Sequence, residues 1–128
     1  MFQTVFTIEQ TDFAQLLRDR TQTFAVAIIF LYDSLHKSEV NKIIGKQLLR
    51  AASSIGANYR AACRARSDAE FFAKLCIVVE EADETLFWLE ILEQTQIPVS
   101  DNLISIKSEA TEILKIMAKA RSTLKKRR

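Results

Sequence analysis

Ser67–Thr95 reads SDAEFFAKLCIVVEEADETLFWLEILEQT, and its spacing decides the fold. Phe71, Leu75, Val78, Ala82, Thr85, Leu89 and Leu92 recur in alternating steps of four and three. A mean step of about 3.5 residues keeps one stripe of an α-helix against a partner helix at a shallow crossing angle. Ser67-Asp68-Ala69-Glu70 in front of the stripe reads as a capping box. The Ser67 hydroxyl can accept from the Glu70 amide while the Glu70 carboxylate reaches back. Ile97-Pro98-Val99 closes the helix, because proline brings no N–H to continue it.

The same rhythm extends outward. Leu103, Ile106, Ala110, Ile113, Met117, Ala120 and Leu124 predict a fourth helix, capped by Ser100 or Asp101. Val40, Ile44, Leu48, Ala51, Ile55 and Ala62 predict a second, capped by Ser38 and running to about Arg66. A first helix over about Asp12 to Leu35 has a second half that is apolar on every side, and Arg20-Thr21 marks a place for a break. Residues 1–10 read as irregular or strand-like. Four such helices with short connections predict an all-α, antiparallel up-down four-helix bundle. The bundle is expected over 20–122, between an N-terminal extension (1–19) and a basic tail (123–128).

The chain has 128 residues, two Gly and one Pro, which suits one domain of long helices. Its longest apolar run, Phe24 to Tyr32, is half of what a membrane span needs. Met1-Phe2-Gln3-Thr4 shows no basic region followed by an apolar block. Cys63 and Cys76 make no disulfide framework. These features predict a cytoplasmic protein without membrane association. The net charge of +2 is segregated: residues 36–66 sum to +6, 67–96 to −7 and 97–128 to +5. Opposite charges on successive helices call for an explanation in neighbouring faces.

Two features predict self-association. The side of helix 3 opposite its stripe holds Ile77, Phe87, Trp88 and Ile91 among Glu80 and Glu84. A helix apolar on two sides is buried on two sides. On helix 2, Lys42, Lys46, Arg50, Arg60 and Arg64 fall within an arc of roughly 80°, beside Leu49, Ser53, Gly56 and Ala57. Such a basic rim could receive the acidic, aromatic face of another copy, a heterologous contact that closes into a ring or runs on as a filament. Alternatively, helices 2 and 3 neutralise each other within one chain. Gly45 and Gly56 inside helix 2 predict close approach of another helix. Ser54 and Asn58 are candidates for an interhelical hydrogen bond.

Catalytic chemistry finds no frame. His36, the single histidine, sits in the helix 1–2 connection with no nucleophile–carboxylate set around it. Glu-x-x-His, zinc-type Cys spacing and Gly-rich phosphate loops do not occur. No cofactor, metal or small-molecule substrate is expected. Glu80 and Glu84, four apart, call for a nearby cation, first of all an arginine of helix 2 or of another subunit. The last turn adds Lys125, Lys126, Arg127 and Arg128, cations suited to phosphate. Together with the helix 2 row they are the candidate nucleic-acid contacts.

Gly45-Lys46-Gln47-Leu48-Leu49-Arg50, Ser54-Ile55-Gly56-Ala57-Asn58-Tyr59-Arg60-Ala61, Glu80-Glu81-Ala82-Asp83-Glu84-Thr85 and Trp88-Leu89-Glu90 resemble the four helix bundle proteins related to the 23S rRNA intervening-sequence protein. The resemblance spans about Arg20 to Arg121. It implies a four-helix bundle assembled as a ring-like homopentamer, with no catalytic residues to transfer. Related members are accessory proteins of diversity-generating retroelements, which bind a reverse transcriptase and nucleic acid. RNA, DNA or such an enzyme is therefore the implied partner, and a purely structural scaffold is the alternative. Gly56 stands where many such members carry proline.

Overall fold

The computed structural model describes residues 8–127, and describes the side chains of 12–125. Four helices follow one another: α1 (Ile8–Ser34), α2 (Glu39–Cys63), α3 (Asp68–Thr95) and α4 (Asp101–Arg127). Each packs on its sequence neighbours, and α1 closes more loosely on α4. Contacts fix the direction of α1 against α2 and of α2 against α3, and the short 96–100 connection turns α4 back along α3. Gly45 lies under Tyr32 and Gly56 under Thr21. Arg50 meets Glu84 while Asn41 meets Gln96, and Lys107 meets Glu93. Neighbours therefore run antiparallel, as the periodicity predicts.

The caps form as read, with one change. Ser38, Ser67 and Ser100 accept from the amides of Asn41 (3.1 Å), Glu70 (3.1 Å) and Leu103 (3.0 Å). Of the two candidates for α4, Ser100 does the capping. The Glu70 carboxylate does not reach back; it pairs with Arg66 at 3.6 Å. All seven stripe residues of α3 are buried, and so are Leu103, Ile106, Ala110, Ile113, Met117 and Leu124 of α4.

Several boundaries move. α1 is unbroken at Arg20-Thr21, because the buried Thr21 hydroxyl donates to the Leu17 carbonyl at 2.8 Å and satisfies itself inside the helix. The division at 19/20 falls within α1, whose Leu17 belongs to the core. Likewise 123–128 is no separate tail at its start: Leu124 is 3% exposed and α4 continues past it. The reading of residues 1–10 lies outside the described residues, save that Ile8 already opens α1. α2 ends at Cys63, short of Arg66. The amides of Arg64 and Ala65 turn to the carbonyls of Ala61 and Ala62, and Ser67 takes the extended backbone that an N-cap requires. Val40, read as core, is exposed. It sits before Asn41, the residue level with the end of α3 at Gln96, so α3 does not cover it.

Candidate nucleic-acid interface

The basic row of α2 divides once its neighbours are in place. Arg50 is neutralised within the chain: its guanidinium lies 2.6 Å from Glu84 and 3.8 Å from Glu81 of α3. This is the cation that the acidic run of α3 calls for, although it serves Glu81 and Glu84 rather than Glu80, which is exposed. Lys42, Lys46, Arg60 and Arg64 are exposed and enter no ion pair among the described residues. Lys125 is exposed on α4. The side chains of Lys126, Arg127 and Arg128 lie outside the described ones.

Arg60 and Arg64 open onto a groove between α1 and α2, and Arg18 of α1 faces them across it. Sequence reading missed Arg18. The available signal was the spacing of Gln15, Arg18 and Gln22, which sets the three on one face of α1. Neutral amides orient the guanidiniums: Gln15 Oε1 accepts from Arg18 at 2.6 Å, and Gln22 Oε1 accepts from Arg60 at 3.3 Å. One carboxylate, Asp19, stands on the rim and accepts from Gln15 Nε2 at 2.9 Å. The groove continues over a floor of Ala25, Ser53, Gly56 and Ala57. Gly56 is thus part of an external groove as well as the place where α2 crosses the backbone of Thr21.

Beneath the groove, Tyr59 is buried and neighbours the half-buried Cys63. Burial pushes the Tyr59 phenol well above its usual range; Cys63 adds to this and the Arg18 charge opposes it. The phenol is therefore a neutral core group. Ser54 and Asn58 bond each other within α2 (2.8 Å), not between helices.

The expected interface residues of α3 separate by exposure. Ile77, Trp88 and Ile91 are half-buried, and the last two pack on the core. Trp88 also donates to Glu84 at 3.2 Å. Phe87 alone stands out, 50% exposed, edge-on to Trp88 with ring centroids 5.0 Å apart. Leu49 is half-buried at the core margin. A larger apolar face lies on α1, where Val26, Ile29 and Phe30 are exposed, Phe30 at 68%. The all-round apolar composition of α1 signalled surplus apolar surface but not which face would be exposed.

Among the described residues no group of three His, Cys, Asp or Glu side chains could hold a metal ion. His36 lines a hollow at the α1–α2 connection with Asp33, Lys37 and Glu39. Among the described residues no helix is long and apolar enough to cross a membrane.

Residues 16–119 match the family described as 23S rRNA-intervening sequence protein. The chain is also similar to a protein of unknown function from the S23 ribosomal protein family of Bacteroides thetaiotaomicron, known from a crystal structure. The two share 38% identity and superpose with a TM-score of 0.77 over 85% of this chain and 97% of the other. No curated protein matches.

Proposed function

The chain belongs to the 23S rRNA-intervening sequence protein family, and on that premise we propose that it is a non-enzymatic, ring-forming homo-oligomer of the cytoplasm, a pentamer by resemblance, that binds RNA or DNA, or an enzyme acting on them, through basic surfaces. One observation carries the nucleic-acid half. Arg18, Arg60 and Arg64 converge on one groove and form no ion pair among the described residues, whereas Arg20, Arg50, Arg66 and Lys107 each have a carboxylate partner. Like charges gathered on one surface repel, and a bound polyanion relieves that repulsion. The exposed α1 face supports self-association, since contiguous apolar patches mark interfaces.

The scaffold reading keeps one specific support, the pairing of Arg50 with Glu81 and Glu84. Gel retardation of RNA and DNA at rising salt separates the two readings. Retardation that weakens steeply with salt is expected, because cations bound to phosphate release counterions. Free migration of both nucleic acids at the lowest salt would overturn direct nucleic-acid binding and leave a protein partner or the scaffold. The variants compared should neutralise Lys125 and its neighbours by substitution. Deleting the last turn would remove Leu124 from the core.

A further inference from the structure

We infer that the α1–α2 groove seats the sugar–phosphate backbone of a single nucleic-acid strand, contacted through Arg18, Arg60 and Arg64 without reading its bases; this rests on the nucleic-acid reading above and assigns it a site. The argument starts from charge. Three guanidiniums meet one carboxylate, Asp19, across a groove of about 570 Å³. Two are held by glutamine oxygens, which fix direction and leave the positive charge in place. Guanidinium is the side chain whose planar fork fits two phosphate oxygens at once.

Shape points to the backbone of the strand. The floor of Ala25, Ser53, Gly56 and Ala57 projects little, so a chain can lie between the helices instead of across their crests. Arg60 and Arg64 are one turn apart, a rise of about 6 Å. On side chains as long as arginine, that separation lets both guanidiniums contact phosphates of the same strand. Among the described residues no aromatic side chain lines the groove, so these offer bases no stacking platform. Affinity should follow charge and salt, with little regard to sequence.

The test is a fluorescence anisotropy titration of labelled oligouridine and oligoadenosine, with inorganic pyrophosphate measured in parallel by calorimetry. The proteins are wild type, R18Q/R60Q/R64Q, the charge-keeping R18K/R60K/R64K, and K115Q/K119Q as a control on exposed α4 positions. Circular dichroism and light scattering verify that fold and mass are unchanged. The wild type is expected to bind both oligonucleotides alike. The glutamine variant should lose about 2 from the slope of log affinity against log salt, from about 0.7 per single-strand phosphate contact. The lysine variant should keep most of that slope, and the α4 control should lose less. Wild-type affinity and slope in the glutamine variant would overturn the groove while leaving nucleic-acid binding in place. Pyrophosphate binding without strand binding, or no binding of either ligand, would overturn the strand assignment, and gel retardation of RNA and DNA then decides the nucleic-acid reading separately.

Discussion

At the scale of single residues, the two glycines of α2 do different work. A Cβ on Gly56 would stand 3.5 Å from the Thr21 backbone, an ordinary contact. Gly56→Ala therefore recovers helix propensity without a clash and should raise stability by up to about 1 kcal/mol, or roughly 3–5 °C in melting temperature. A Cβ on Gly45 would stand 2.6 Å from Tyr32 Cδ1 and 3.2 Å from its Cγ. The whole ring must move, so Gly45→Ala should lower the melting temperature. Paired thermal melts check both signs. Tyr59 gives a pH prediction. Its phenol is held protonated in the fold, chiefly by burial. The unfolded chain loses that proton near pH 10. Above that pH the folded state binds more protons than the unfolded one, so stability present at neutral pH declines as pH rises. Tyr59→Phe should flatten the alkaline limb of a stability–pH profile measured by urea unfolding.

At the scale of elements, the helix ends carry the predictions. Ser67→Ala removes the acceptor for the Glu70 amide and should cost about 1 kcal/mol. Leu124→Ala should cost about 2 kcal/mol through lost core contacts, whereas Lys125→Ala should change urea stability by less than about 0.5 kcal/mol. That contrast separates core from surface within one turn. α3 and α4 were legible because burial on one face imposes a 3.5-residue rhythm that their stripe residues obey. The caps were legible because a serine hydroxyl before a helix has one thing to do. α1 was less legible: an element apolar all round has no phase to read, so neither its start nor its exposed face could be placed from composition. Charge misled in part. Arg50, Arg60 and Arg64 share one arc of α2, yet α3 claims the first and α1 turns the others into a groove. Which neighbour takes which charge is a tertiary fact, and so Arg18 on another helix stayed out of sight.

For the whole molecule, the exposed apolar surface bears on assembly. The half-buried Trp88 weakens α3 as the sole interface, since its own bundle already shelters part of the ring. Val26, Ile29 and Phe30 have no such shelter: all three lie within two turns of α1 and stand well exposed. In a heterologous contact each copy contributes two different patches, and the α1 face is the one with the most apolar area to hide. Val26→Glu with Phe30→Glu alters no core residue, so the helical content of each chain should persist. It should bring the light-scattering mass down to the 14.6 kDa of one chain. Phe87→Glu, on a smaller patch, should weaken assembly less. Should the wild type be oligomeric and the doubly charged variant keep its mass, the α1 face is not the contact and the α2–α3 side becomes the candidate. In that case the groove arginines of α2 would stand beside a subunit boundary, and disrupting the assembly would change RNA affinity. If the α1 face is the contact, oligomer mass and salt-dependent binding should respond to separate sets of substitutions.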